Sequence, residues 1–184
     1  MRIVGGAWRG RRLAGPKGEG IRPTSDRLRE ALFNVLAHAY DDPVEGARVL
    51  DLFAGTGALA FEALSRGAAS ALLVDDGREA GGLIRDSLAA LQCGARARLI
   101  RRDATRLGPS TDPPATLVFC DPPYGKNLAP AALAAAAQGG WLAADALVLV
   151  EEVASAGPVL PEGFSELERR AYGETAVTFA RFEG

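Results

Sequence analysis

Four consecutive residues, Asp121-Pro122-Pro123-Tyr124, end an apolar run with a carboxylate, two prolines and an aromatic ring. Each proline fixes its own φ at about −65° and biases the preceding residue toward extended geometry, so the Asp121 carboxylate and the neighbouring carbonyls are held in fixed directions. Such acceptors can bind both N–H groups of a nucleobase amine and turn its delocalised lone pair toward an electrophile, while the ring stacks on the base. We therefore predict that these four residues are catalytic, rather than a rigid turn beside a core tyrosine.

A glycine-rich stretch, DLFAGTGALA, follows another apolar run and opens a helical segment. Gly55, Gly57 and Ala60 satisfy the G-x-G-x-x-G/A dinucleotide pattern, with Asp75 as the expected ribose acceptor. A carboxylate at Asp51, however, would repel a pyrophosphate at the N-terminus of that helix. S-adenosylmethionine removes the conflict because it has no phosphates and carries a sulfonium and an α-amino group. The pattern therefore favours this methyl donor over NAD.

Four acidic residues, Asp51, Asp75, Asp103 and Asp121, each follow a predicted strand. Ligands of open parallel sheets lie across the carboxyl ends of neighbouring strands, so we predict that these carboxylates share one cavity. Asp75 would accept hydrogen bonds from the ribose hydroxyls, and Asp103 with the Ala104 N–H would meet the adenine edge. The alternative is that each acid only caps the helix after it.

The elements that must position these residues alternate along the chain. Strands are predicted at 49–52, 71–74, 98–100, 117–119 and 146–150, and helices at 58–66, 79–91 and 130–138. This alternation predicts an α/β fold with a parallel sheet covered by helices on both faces. Two further strands, at 164–171 and 176–182, are separated by a tight turn and add an antiparallel edge. Upstream, N-cap candidates at 23–26 precede an amphipathic helix with apolar residues from Leu28 to Ala39.

The first 30 residues are basic, although the formal net charge of the chain is −2. They contain eight Lys or Arg residues and three acidic residues, whereas the rest of the chain contains 13 and 20. A basic segment on an acidic domain indicates a polyanionic partner.

Composition excludes several classes of protein. The 184 residues, 48% hydrophobic and 24% charged, fit one globular domain. The apolar stretches fall well short of the roughly 20 residues that cross a bilayer, and no secretory signal follows Met1, so we expect a cytoplasmic protein without a membrane span. Two cysteines and one histidine lack metal-ligand spacing, so we expect no metal site.

The motifs resemble a known family when they are taken together. DLFAGTGALAFEALSRGA with DPPY resembles class I S-adenosylmethionine-dependent methyltransferases that act on an amino nitrogen, from about Arg48 to the end of the chain. RIVGGAWRGRRL and IRPTSDRLREALFNVL are similar to the RsmD family, which methylates the N2 amino group of one guanine in small-subunit (16S) ribosomal RNA. The resemblance implies a Rossmann-like fold with a mostly parallel seven-stranded sheet, an antiparallel C-terminal strand and an N-terminal hairpin extension.

From this resemblance we expect a basic N-terminal extension over residues 1–40 and a methyltransferase domain over 41–184. It also implies S-adenosyl-L-methionine as the cofactor and 16S ribosomal RNA in a partly or fully assembled small subunit as the partner. With this partner, the candidate RNA-binding residues are Trp8, Arg9, Arg11, Arg12, Arg22, Thr24 and Arg27. The first four would bind phosphates and stack on an exposed base. The last three would cover the cavity or follow the RNA path, unless they only cap and pair the first helix. We expect the enzyme to be a monomer. The expected cofactor contacts are Asp51, Phe53, Gly55, Thr56, Gly57, Asp75, Asp103 and Ala104.

Three alternatives stay open from the sequence. An N6-adenine methyltransferase acting on DNA or RNA would use the same acidic DPPY motif. An NAD-binding oxidoreductase would use the Gly55-x-Gly57-x-x-Ala60 match. A non-catalytic RNA-binding module would need only the basic N-terminal segment.

Overall fold

The computed structural model describes residues 1–16, 24–157 and 159–184. The elements in chain order are α1 (Asp26–Ala39), β1 (Arg48–Leu52), α2 (Ala58–Ser65), β2 (Ser70–Val74), α3 (Arg78–Leu91), β3 (Ala97–Ile100), a 3-10 turn (Ala104–Arg106), β4 (Ala115–Cys120), α4 (Ala129–Gln138), β5 (Leu142–Val153), β6 (Phe164–Tyr172) and β7 (Thr175–Phe182). The predicted helices and strands are all found. The largest difference is β5, which extends beyond the predicted 146–150 at both ends.

The seven strands form one sheet in the order β3-β2-β1-β4-β5-β7-β6. Strands β1 to β5 are parallel, and β7 is antiparallel to both β5 and β6. The fold is therefore the predicted α/β arrangement with one antiparallel strand. The order of the strands reverses between β1 and β4, and this switch point is where ligands bind in such sheets.

The two strands of the C-terminal hairpin do not join the sheet in the order in which they follow β5 in the chain. Its second strand, β7, lies inside the sheet, and its first strand, β6, forms the edge. The two strands differ in burial and charge. Strand β7 has five consecutive buried residues from Ala176 to Ala180, whereas β6 has no buried residue and carries four charged residues between Glu166 and Arg170. Charged side chains on an edge strand oppose pairing with other chains, so this order suits both strands.

Helices cover both faces of the sheet. One face packs against α1, α2 and α3, and the Phe33 and Phe119 rings lie 5.9 Å apart there. The other face packs against α4 and the 3-10 turn. Helix α1 begins where predicted, because the Ser25 hydroxyl accepts a hydrogen bond of 3.1 Å from the Leu28 N–H. Within the described part of the chain, no helix has both the length and the apolar character that a membrane span requires.

A buried carboxylate, Glu62, attaches the N-terminal segment to α2. This segment is a hairpin in which Arg2 and Arg12 form an antiparallel bridge. The Glu62 side chain is fully buried and accepts hydrogen bonds from the N–H groups of Val4 at 2.9 Å and Gly5 at 2.8 Å. The hairpin is thereby fixed to the helix that follows the glycine-rich loop.

The fully buried Arg29 of α1 completes this attachment. Its guanidinium donates to the carbonyl oxygens of Arg2 at 2.5 Å and Thr24 at 2.9 Å, and its Nε lies 3.8 Å from a Glu62 oxygen. It also contacts the Asp26 carboxylate at 2.8 Å. The hairpin, α1 and α2 therefore form one packed unit, while the domain boundary near residue 40 stays a prediction.

Glu62→Ala is expected to lower the free energy of unfolding by about 3–5 kcal/mol, because it removes the acceptor of the Val4 and Gly5 N–H groups and the carboxylate beside the buried Arg29 Nε. Glu30→Ala, at an exposed position of the neighbouring helix, is the matched control and should change stability by no more than about 0.5 kcal/mol. Urea denaturation of both variants measures the difference. Equal effects would contradict the importance of this attachment.

Candidate active site

A cavity of about 1250 Å³ lies at the carboxyl ends of the central strands. Its wall comprises the loops after β1, β2, β3 and β4, the start of α1 and the turn between β6 and β7. The predicted residues that line it are Thr24, Arg27, Asp51, Phe53, Gly55, Thr56, Asp75, Asp103, Ala104, Asp121, Pro122, Pro123 and Tyr124. The glycine-rich loop and the proline corner therefore share one cavity.

The glycine-rich loop turns through three residues with positive φ. Phe53, Gly55 and Gly57 have φ angles of 61°, 56° and 76°. Gly57 does not line the cavity, and a Cβ there would come within 2.6 Å of the Leu73 side chain and 2.7 Å of the Phe61 ring. Its glycine is therefore needed for α2 to pack against β2, and the cofactor contact predicted for it stays a prediction.

Phe53 is the unexpected member of this loop. A bulky residue in the left-handed region is strained, and such strain persists only where the surrounding structure imposes it. The next residue, Ala54, donates its N–H to the Val74 carbonyl at 2.9 Å, which fixes the loop to the end of β2. The sequence carries no signal for this conformation.

Asp75 connects the loop to the second strand. One carboxylate oxygen accepts the Gly55 N–H at 2.9 Å, and the other accepts the Gly77 N–H at 2.8 Å. A Cβ at residue 77 would lie 2.9 Å from the Asp75 carboxylate, which explains the glycine there. Each oxygen keeps a lone pair for a further donor, such as a ligand hydroxyl.

Asp51 is a buried acid at the end of β1. Only 2% of its surface is exposed, and its carboxylate accepts the Ala60 N–H at 3.3 Å. Burial raises the pKa of Asp51 to about 7; the Ala60 hydrogen bond opposes the rise, and the Asp75 charge adds to it. The protein therefore holds an incompletely compensated acid beside the cavity, where a cationic ligand would stabilise its charge.

Asp103 caps the turn after β3 and also lines the cavity, while its predicted contact with adenine stays a prediction. Its carboxylate lines the cavity and also caps the 3-10 turn by accepting the Thr105 N–H at 2.8 Å and the Thr105 hydroxyl at 2.7 Å. These hydrogen bonds lower the pKa of Asp103. Its charge is therefore kept at neutral pH beside the loop after β3.

The proline corner, Asp121-Pro122-Pro123-Tyr124, follows β4 and lines the same cavity as the loops that carry Asp51, Asp75 and Asp103. The Asp121 N–H donates to the Leu52 carbonyl at 3.4 Å, which joins the end of β4 to the end of β1. Pro122 is buried, whereas Pro123 and Tyr124 are exposed, and all three line the cavity.

Several residues that line the cavity were not predicted from the sequence, namely Arg78, Arg102, Lys126, Glu151, Tyr172, Glu174 and Thr175. Glu151 had a detectable signal, because it is another acid near the end of a strand.

The tip of the N-terminal hairpin lies away from the cavity. Trp8, Arg9, Arg11 and Arg12 do not line it, and Arg22 lies outside the described residues. The backbone N–H of Trp8 donates to the Ser65 hydroxyl at the C-terminal end of α2. The Trp8 ring packs against the Arg96 guanidinium, which lies 5.0 Å from the ring centroid. The Arg11 side chain donates to the Ala90 carbonyl at 2.5 Å, near the end of α3. The structure thus separates the hairpin tip from Thr24 and Arg27, which do line the cavity.

Residues 1–181 match the family model described as conserved hypothetical protein 95. The chain is 41% identical over 177 residues to ribosomal RNA small subunit methyltransferase D of Escherichia coli strain K12, covering 96% of this chain and 87% of that protein. It is 34% identical to the Haemophilus influenzae protein of the same name, covering 94% and 89%. A solved structure of a putative methyltransferase from Escherichia coli aligns with a TM-score of 0.83 at 38% identity, covering 100% of this chain and 98% of that chain.

Asp51→Asn is expected to stabilise the unliganded protein, and to do so more at pH 8 than at pH 5. Because the folded-state pKa is raised to about 7, ionising Asp51 costs stability as the pH rises from about 4 through 7. Asparagine cannot ionise, so the free energy of unfolding should rise by about 1–3 kcal/mol at pH 8. Urea denaturation at the two pH values measures this. A gain that does not depend on pH would contradict the assignment.

Proposed function

The chain belongs to the conserved hypothetical protein 95 family, that of the ribosomal RNA small subunit methyltransferases D (RsmD), and we propose that it transfers a methyl group from S-adenosylmethionine to the N2 amine of a guanine in 16S ribosomal RNA. It is an rRNA methyltransferase. The main support for the proposed cofactor and methyl acceptor is that the glycine-rich loop and Asp121-Pro122-Pro123-Tyr124 line the same cavity.

The acids on the donor side fit a cationic cofactor. Asp51 is buried with a raised pKa, so a neighbouring sulfonium or α-amino group would stabilise its ionised form. Asp75 has lone pairs for ribose hydroxyls, and Ala104 with Asp103 would meet the adenine. A pyrophosphate would face these acids at short range, which argues against NAD. Bound S-adenosylmethionine would supply an electrophilic methyl group.

On the acceptor side, the proline corner would orient the nucleophile. The Asp121 carboxylate and the Pro122 carbonyl would accept the two N–H bonds of the guanine amine and aim its lone pair across the cavity. Holding reacting atoms about 3–3.5 Å apart in line supplies much of the barrier reduction in such transfers. The Tyr124 ring would stack on the base after it leaves its helix or loop.

The RNA would reach the cavity past the start of α1. Thr24 and Arg27 line the cavity and would contact nucleotides next to the target base. Arg9, Arg11 and Arg12 are exposed on the hairpin, where they would bind phosphates farther along the RNA with salt-dependent, sequence-independent affinity. The Trp8 ring packs against Arg96, so this contact would have to open before the ring stacks on an exposed base. An assembled or partly assembled small subunit would present the guanine.

Isothermal titration calorimetry tests the cofactor. We expect S-adenosylmethionine to bind more tightly as the pH rises from 5 to 8, by up to about tenfold per pH unit below the Asp51 pKa, because the ionised acid favours a cation. Asp51→Asn should weaken binding at pH 8 and flatten this dependence. Binding of NAD without binding of S-adenosylmethionine would refute the cofactor assignment.

Mass-spectrometric mapping of ribosomal RNA tests the reaction. RNA from cells lacking the protein should lack one N2-methylguanine, and the purified enzyme should restore it. Asp121→Ala should lower transfer by about 10²-fold or more, because the amine is no longer oriented, with cofactor affinity retained. Asp86→Ala, at an exposed position of α3, is the control. A methylated adenine, or unchanged modification in the Asp121 variant, would refute the proposed reaction.

A further inference from the structure

The Tyr124 hydroxyl joins three stretches of chain that are distant in sequence. It lies 3.1 Å from a carboxylate oxygen of Glu151 and 3.1 Å from the hydroxyl of Thr175. Tyr124 follows β4, Glu151 belongs to β5, and Thr175 begins β7. The Tyr124 hydroxyl therefore connects the proline corner to β5 and to the C-terminal hairpin.

The chemistry of the three groups fixes the direction of both hydrogen bonds. A phenol has one proton, and Tyr124 donates it to a Glu151 carboxylate oxygen. The phenol oxygen then accepts from the Thr175 hydroxyl. Burial raises the pKa of Tyr124, so the phenol keeps this proton at neutral pH.

These contacts hold the hydroxyl of Tyr124, while part of the residue stays exposed. Tyr124 is 38% exposed, whereas Glu151 is 7% exposed and therefore offers a fixed acceptor. The ring lines the cavity between Asp121 and the turn between β6 and β7, where Gly173 and Glu174 form the wall. An exposed aromatic side chain would otherwise lose rotamer freedom when a base stacks on it.

We propose that Glu151 and Thr175 are positioning residues that hold the Tyr124 ring as a preformed stacking surface for the methyl-accepting base. The antiparallel hairpin then builds the acceptor side of the site, and the hydroxyl gives tyrosine a role that phenylalanine cannot fill. This inference rests on the proposed function for the identity of the base, but the ordering of the ring does not depend on it.

Steady-state kinetics on small subunits purified from cells lacking the protein test the inference. Tyr124→Phe keeps the ring and removes the hydroxyl, and Thr175→Val removes one donor at nearly constant volume. Each is expected to lower kcat/KM for the subunit by about 3- to 30-fold, the effect of one or two lost hydrogen bonds, with S-adenosylmethionine affinity unchanged. The double variant should be no worse than Tyr124→Phe alone. Thr111→Val, at an exposed loop position, is the control.

Glu151→Gln separates positioning from general damage to the fold. Glutamine can still accept the phenol hydrogen bond, so this variant should keep most of the activity, whereas Glu151→Ala should resemble Tyr124→Phe. Wild-type kinetics in Tyr124→Phe, or additive losses in the double variant, would overturn the inference.

Ring mobility provides a readout that needs no substrate. The chain has three tyrosines, so NMR relaxation of labelled tyrosine rings can be assigned to Tyr124 by substitution. Thr175→Val is expected to increase the mobility of the Tyr124 ring and to leave that of Tyr40 unchanged. Unchanged Tyr124 mobility would refute the positioning role. If the ring is ordered as expected but no methyl group reaches the subunit, the proposed substrate is wrong.

Discussion

The site depends on a buried carboxyl group, Asp51 at the end of β1, whose pKa is raised to about 7 by its burial. Burial of an acid costs stability, and here the structure recovers little of that cost through one backbone hydrogen bond. A binding site commonly retains such a cost because the ligand offsets it. The neighbouring Asp75 increases the preference for positive charge and also fixes the glycine-rich loop.

Sheet topology gives this acid its catalytic partner. Strands β1 and β4 are adjacent and parallel, so Asp51 lies opposite Phe119, two residues before Asp121. Because the strand order reverses at this pair, no crossover helix covers the space between the two strand ends. The donor and acceptor sides of the cavity therefore come from two strands that are neighbours in the sheet but far apart in the sequence. The packed unit of hairpin, α1 and α2 closes one side, with Glu62 and Arg29 holding it in place.

Much of the fold was predictable because local patterns and tertiary packing agree. The apolar runs of β1 and β4 are buried on both faces, and the Ser25 cap starts α1 where its pattern begins. The family resemblance rested on motifs that span nearly the whole chain. Sequence reasoning did not indicate the insertion of β7 between β5 and β6, because the order of strands in a sheet depends on long-range pairing. The strained φ of Phe53 was also hidden, since its bulky side chain gives no local signal for that conformation.

The sequence by itself determined the chemistry available: acids at four strand ends, a glycine-rich loop, and a proline corner carrying a tyrosine. These are properties of residue type and short spacing. Tertiary structure alone decided which groups act together. It placed Glu151 and Thr175 on the Tyr124 hydroxyl, lined the cavity with Thr24 and Arg27, and turned the Trp8 end of the hairpin toward Arg96. The reason is that such contacts join residues far apart in the chain, and the free energy that selects them comes from packing the whole domain.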